Sequence, residues 1–224
     1  MIPWTCLAAA TVPDDGGELR LMRRGEEYSI MSGSIELMNS RLSGSEEALA
    51  TLVSGRLQDR PSPRVLIGGF GMGFTLRAAL ASFGAEAEVT VAELVPAVLA
   101  WARGPMAHLS GDCLDDPRVR LLETDVARLI GAAQGAYDAI LLDVDNGPEG
   151  LSRAANDRLY DQAGLDAARR ALRPGGILAV WSSSPSPVFS QRLRKAGYRV
   201  EEHRVRARSS GRGGRHMIWL AASG

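Results

Sequence analysis

From Arg64 onward the sequence alternates short apolar runs with longer amphipathic stretches. Runs rich in β-branched residues, bounded by glycine, proline or acidic turn residues, predict strands over 65–68, 88–93, 119–122, 137–143 and 177–181. The stretches between them predict helices over 74–82, from Pro96 to about His108, over 126–133, from Asn156 or Asp157 to Leu172, and from Val188 to Ala196. Arg173-Pro174-Gly175-Gly176 is expected to stop the fourth of these, and Gly197 to cap the last. Tyr198 to Ala207 and Met217 to Ala221 read as two more strands joined by a basic glycine loop, Ser209 to Arg215. Strands joined by so short a loop are antiparallel. Strand–helix alternation predicts a parallel sheet with helices on both faces, closed here by one antiparallel strand.

Before Arg64 the pattern changes. Leu19, Leu21, Tyr28, Ile30, Ile35 and Leu37 alternate in part, with turn positions at Arg24-Gly25 and Ser32-Gly33, so residues 18–37 predict short antiparallel strands. Residues 1–17 end in the turn Asp14-Asp15-Gly16-Gly17, and no element is assigned within them. Ser43-Gly44-Ser45-Glu46-Glu47 opens a helix reaching about Leu57. Asp59-Arg60-Pro61-Ser62-Pro63 is a stiff linker. Residues 1–58 therefore form an expected β appendage with a leading helix, and residues 64–224 the main domain.

Chemistry concentrates where strands end, because ligands of such sheets bind beyond the strand carboxyl ends. Val65-Leu66-Ile67-Gly68-Gly69-Phe70-Gly71-Met72-Gly73-Phe74 is a strand, a glycine turn and a helix start. Gly68, Gly69, Gly71 and Gly73 let a ligand approach the backbone and face the free N–H groups of the helix. A dinucleotide fingerprint needs a third glycine where Phe74 stands. Gly69-x-Gly71-x-Gly73 resembles the loop of class I S-adenosylmethionine (AdoMet)-dependent transferases instead. Glu93 ends the next strand, about 20 residues on, where an acid can take both ribose hydroxyls, with Leu94 beside it. Asp125 and Val126 follow the third strand; in this fold an acid there meets the adenine amino group, although Asp125 also suits a helix N-cap. In Asp143-Val144-Asp145-Asn146-Gly147-Pro148, Asp143 and Asp145 can attract a cationic nucleophile or accept its proton. The same Asp and Asn residues also suit an Asx turn or a divalent metal through oxygen ligands; no metal is assigned. His108 and His203 carry no assignment, and His216 is expected in a solvated basic turn with Arg212 and Arg215.

Composition adds limits. Hydrophobic residues are 45% of 224 and formal net charge is zero, so no global field draws nucleic acid or an acidic membrane. Lys195 is the single lysine. Cys6 and Cys113 have no metal-ligand spacing and fit reduced thiols of a cytoplasmic protein. No apolar run is long enough to span a bilayer, and the N-terminus lacks a basic leader region.

Over residues 18–185 the chain resembles the spermidine synthase (polyamine aminopropyltransferase) family. The resemblance rests on the small β region and helix before Val65-Leu66-Ile67-Gly68-Gly69. It rests also on Ala92-Glu93-Leu94-Val95-Pro96-Ala97-Val98, on Tyr137-Asp138-Ala139-Ile140-Leu141-Leu142-Asp143 and on Gly147-Pro148. It implies a Rossmann-like seven-stranded class I methyltransferase sheet with the last strand antiparallel, an α/β fold with a small N-terminal β appendage. It further implies a ribose ligand in Glu93, an assistant in amine deprotonation in Asp143, and a homodimer. The chain departs from the family at three places. Gly71 stands where the family's loop has the Asp that binds the donor's amine. Ser45-Glu46-Glu47 replaces Tyr, then His or Gln, then Glu. Asp143-Val144-Asp145-Asn146-Gly147 replaces Asp-Ser-Ser-Asp-Pro. These departures fall on recognition of decarboxylated AdoMet and a polyamine. The expectation is accordingly a methyltransferase using ordinary AdoMet on a small-molecule acceptor. The alternatives are an aminopropyltransferase using decarboxylated AdoMet and a non-catalytic nucleoside-binding protein.

Overall fold

The structure is a computed structural model and describes residues 2–13, 17–144, 146–148, 156–208 and 213–224. Two sheets are present. Strands β1 (Thr5–Thr11), β2 (Glu18–Arg24), β3 (Glu27–Ser32) and β4 (Ile35–Asn39) form an antiparallel meander in that order. Helix α1 (Gly44–Arg56) leads into the main sheet. Its strands are β5 (Arg64–Gly68), β6 (Glu88–Glu93), β7 (Val119–Glu123), β8 (Tyr137–Leu142), β9 (Leu172–Ser182), β10 (Tyr198–Arg206) and β11 (Arg215–Ser223), in the spatial order β10-β11-β9-β8-β5-β6-β7. The last strand, β11, inserts between β9 and β10 and runs antiparallel to both. The expected seven-stranded fold is borne out.

Period-2 alternation sends successive strand residues to opposite faces. Val65, Ile67, Val91, Leu141 and Ile218 face one layer, which holds α1, α2 (Phe74–Ser82) and α3 (Pro96–Arg103). Leu66, Ile140, Leu178, Val180 and Trp219 face the other, with α5 (Val126–Ala132), α7 (Gln162–Ala171) and α8 (Pro187–Lys195). The first layer is continuous with Leu19, Leu21, Tyr28 and Ile30 of the small sheet, so one core joins the two sheets. From β5 the chain winds outward to β6 and β7 and then returns to β8 on the other side. The loops after β5 and β8 thus diverge at a topological switch point, where such sheets bind ligands.

One strand is added to the expected elements and three local expectations need correction. Thr5–Thr11 is a strand, although Ala8-Ala9-Ala10 has weak β propensity; it is an edge strand paired with β2, its side chains largely exposed, so no apolar alternation marks it. The helix from Pro96 stops at Arg103, before Gly104-Pro105, and a separate short helix, α4 (Ala107–Ser110), follows. The helix expected from Asn156 or Asp157 is two: α6 (Asp157–Tyr160) ends before Asp161, whose Oδ1 accepts the Gly164 N–H at 2.7 Å and caps α7. Arg173 to Gly176 belongs to β9, with a register irregularity against β8 and Gly175 at φ 71°.

The linker before β5 is tied down by one buried carboxylate. Asp138 of β8 is 1% exposed. It accepts the Arg64 N–H at 2.8 Å and the Arg173 guanidinium at 2.9 Å, and it pairs with Arg60. Among the described residues no helix is long and apolar enough to cross a membrane.

Candidate active site

The glycine turn has a specific job for each glycine. A Cβ on Gly68 would lie 3.1 Å from both Leu142 and Val126, so this position lets strand and helix pack closely. Gly69 has φ +83° and a Cβ there would sit 2.9 Å from the Asp143 carbonyl oxygen. Gly73, at φ +81°, donates its N–H to the Phe70 carbonyl and starts α2. Glu93, 7% exposed, holds the turn in place: Oε2 accepts the Phe70 N–H at 2.9 Å and Oε1 the Val95 N–H at 2.8 Å. Burial pushes its pKa up, and these N–H groups oppose that shift.

These loops frame a cavity at the switch point. It is lined by Gly69 and Gly71 after β5, Glu93 and Leu94 after β6, Asp125 and Val126 after β7, and Asp143 after β8. Gly68 and Gly73 do not line it. Leu19, Ile30, Leu37 and Met38 of the small sheet close it from above. A Cβ on Gly71 would come 2.4 Å from the Met38 methyl carbon, so that thioether fills the space beside the turn. The carboxylates in the lining are Glu93, Asp125 and Asp143, and no arginine, lysine or histidine among the described residues joins them. Asp125 is a helix N-cap, Oδ1 accepting the Ala127 N–H at 2.8 Å, and borders the cavity as well.

Behind Asp143 lies a polar cluster that the spacing of the sequence does not reveal. The Thr75 hydroxyl, in the first turn of α2, donates to Asp143 Oδ2 at 2.6 Å. Glu46, in the first turn of α1, is 6% exposed and feels the Asp143 charge. Ser45 Oγ lies 2.6 Å from Glu46 Oε2 and 2.8 Å from His216 Nδ1. The His216 ring stands edge-on to Trp181, centroids 4.9 Å apart. The expectation of a solvated turn is therefore corrected for His216, which is half-buried within β11; Arg212 lies outside the described residues. Asp145 also lies outside them. Beyond it, the Asn146 carbonyl accepts from Ser183 N–H at 3.3 Å and from the Ser182 hydroxyl at 3.2 Å, which moors the loop to the end of β9. Among the described residues no cluster of three or more His, Cys, Asp or Glu could hold a metal ion.

The two carboxyls titrate as a pair. Burial pushes Asp143 up to about 6, against the Thr75 hydrogen bond. Burial first and the Asp143 charge second push Glu46 up to about 8. Between their ordinary values and these, the folded protein holds more protons than the unfolded chain, so stability falls as pH rises. The contribution is fully present below about pH 4 and is lost as pH climbs through about 6 to 8. Glu46→Gln should leave the melting temperature nearly unchanged at pH 5 and raise it at pH 8.5. A variant equally stable relative to wild type at both values would show that Glu46 is not a strained charge.

Comparison with known proteins adds the family. A family model described as the spermine/spermidine synthase domain matches residues 46–194. Polyamine aminopropyltransferase 1 of Streptomyces coelicolor is 34% identical over 162 residues, 69% of this chain and 30% of that protein. Putrescine N-methyltransferase 4 of Nicotiana tabacum is 36% identical over 126 residues, 55% of this chain and 31% of that protein. This chain thus spans about a third of the length of these relatives. In fold, it matches the crystal structure of spermidine synthase from Thermotoga maritima with a TM-score of 0.74 at 18% identity, covering 98% of this chain and 72% of the other. The expectation of a methyltransferase using ordinary AdoMet is corrected here. The family model is that of the synthases, and the aminopropyltransferase likeness runs over more of the chain than the N-methyltransferase one. The departures at Gly71 and Ser45-Glu46-Glu47 misled because they change single side chains and leave the surrounding motifs intact.

Proposed function

The chain belongs to the spermine/spermidine synthase domain family, and on that premise we propose that it transfers an aminopropyl group from decarboxylated AdoMet to an amine, making a polyamine. The observation that carries this reading is the charge of the cavity: three carboxylates in its lining and no cationic side chain among the described residues. Decarboxylated AdoMet is a dication, with a sulfonium and an ammonium. Ordinary AdoMet adds a carboxylate that would be desolvated beside Glu93, Asp125 and Asp143 without a cationic side chain to pair it.

In this reading the small sheet and α1 (1–58) roof a nucleoside domain (64–224). Glu93, whose carboxylate is already held by backbone N–H groups of Phe70 and Val95 and feels those of Gly71 and Leu94, takes the ribose hydroxyls. Asp125 and the N–H of Val126 meet the adenine edge, and Gly69 and Gly71 let the donor lie against the backbone. Decarboxylated AdoMet supplies a propyl carbon activated by its sulfonium. Asp143, in the lining of the same cavity, holds the acceptor amine in line with that carbon and takes its proton. Thr75 fixes the Asp143 carboxylate for that task.

Calorimetric titration tests the donor. Decarboxylated AdoMet should bind at least about tenfold tighter than AdoMet, a difference of about 1.4 kcal/mol. Equal or tighter binding of AdoMet would sink the reading. Glu93→Ala should weaken donor binding by about 1–3 kcal/mol, the loss of charge-assisted hydrogen bonds. Unchanged affinity in that variant, with the fold intact by circular dichroism, would remove Glu93 from the ribose.

A further inference from the structure

The transfer reading leaves Glu46, Ser45 and His216 without a task, yet they are hydrogen-bonded to one another behind Asp143. Resting on that reading, we propose that Ser45 and His216 are positioning residues of the reaction, which with Glu46 form a wire carrying the acceptor's proton from Asp143 to the protein surface.

Hydrogen bonds carry the wire from Glu46 outward; Asp143 is joined to Glu46 by the charge that Glu46 feels from it and by the Thr75 hydroxyl, which donates to Asp143 Oδ2 and lies 3.4 Å from the Glu46 carbonyl oxygen. The Ser45 hydroxyl has one proton and two neighbours within hydrogen-bond distance, Glu46 Oε2 at 2.6 Å and His216 Nδ1 at 2.8 Å. With Glu46 ionised, the hydroxyl donates to the carboxylate and accepts from Nδ1–H. With Glu46 protonated, the carboxylic acid donates to Ser45 Oγ, and the hydroxyl turns to donate to Nδ1, so the ring proton sits on Nε2. The two states interconvert when Glu46 gives a proton to Ser45, Ser45 gives its own to Nδ1 and Nε2 releases one. Ser45 is fully buried and Glu46 nearly so, whereas His216 is half-buried at the start of the last strand. The wire thus runs from inside outward. The Trp181 ring holds the imidazole orientation by edge contact.

The charged groups that Glu46 feels are Asp143 after β8 and Glu47 on α1, and the titratable group on the other side of Ser45 is His216 on β11. Burial keeps His216 neutral by lowering its pKa, as a relay requires. In the transfer the acceptor lone pair forms the N–C bond. The C–S bond breaks and its electron pair stays on sulfur, which becomes neutral. The nitrogen gains the positive charge and sheds one proton to Asp143. The carboxyl pair then carries one proton too many for its mutual repulsion to hold at neutral pH, and Glu46 exports one through Ser45 and His216.

The test compares wild type with Ser45→Ala, Ser45→Thr and His216→Gln. The assay follows aminopropyl transfer from decarboxylated AdoMet to 1,4-diaminobutane as a function of pH. Ser45→Ala and His216→Gln should lower kcat about tenfold, less than the roughly 10²–10⁴-fold of a general base itself. KM for both substrates should stay within about twofold, because neither residue lines the donor cavity. Ser45→Thr, which keeps a hydroxyl, should recover most of the rate. Unchanged kcat and pH profile in Ser45→Ala would overturn the proposal. A second readout needs no turnover. The ¹⁵N resonances of His216 should shift from the Nδ1–H to the Nε2–H tautomer as Glu46 is protonated, and should not do so in Glu46→Gln. Transfer in wild type without that coupling overturns the wire alone. The coupling without any transfer overturns the aminopropyl reading and leaves the hydrogen-bonded wire standing.

Discussion

If the proposed transfer holds, Asp143→Asn should lower it by about 10²-fold or more at pH 7.5, while the affinity for decarboxylated AdoMet should stay within about threefold. The amide is isosteric and still accepts the Thr75 hydrogen bond, so the side chain keeps its place at the end of β8. It loses the ability to take a proton and to attract an ammonium. At pH 7.5 the wild-type group is ionised, its pKa being raised only to about 6. Wild-type turnover should therefore fall as pH drops through about 6, and the variant should lack that limb. Steady-state rates between pH 5 and 9, with donor affinity measured separately, decide it. Full turnover by the variant would remove Asp143 as the proton acceptor and leave the wire behind it without an entry point.

Asp138→Ala should destabilise the fold by about 3 kcal/mol, the low end for breaking a buried ion pair by removing one partner. The low end applies because Arg60 and Arg173 are each 32% exposed and keep part of their hydration when Asp138 is gone. The variant also frees the Arg64 N–H and detaches the linker from the main sheet at the start of β5. For a chain of this size the loss corresponds to a drop of about 6–12 °C in melting temperature. Thermal unfolding followed by circular dichroism measures it. A drop below about 2 °C would mean that the arginines find other partners and that the linker is held by its packing alone.

Much of this protein is legible along the chain. Glycines recur where β5 ends, acids stand after β6, β7 and β8, and the β-branched runs between them place the strands. Each of these signals is local: a turn that needs positive φ, a strand that needs apolar alternation, a helix that needs a cap. The edge strand Thr5–Thr11 escaped because its pairing is with backbone and its small residues face outward. The breaks near Gly104 and Asp161 are points where helix propensity gives way to a cap or a missing N–H.

The candidate site divides along the same line. Gly69, Gly71, Glu93, Leu94, Asp125, Val126 and Asp143 were readable because the fold sends every strand end to one rim, so spacing alone brings them together. Thr75, Ser45, Glu46 and His216 were not. Ser45 and His216 are 171 residues apart, and they meet because α1 packs on the sheet face while β11 inserts beside β9. Nothing in either local sequence encodes that distance. The sequence by itself determined the strand order's raw material, the residues of the cavity rim and the family. The tertiary structure alone decided which polar groups are buried together, because burial sets both the hydrogen bonds they must share and the protons they hold.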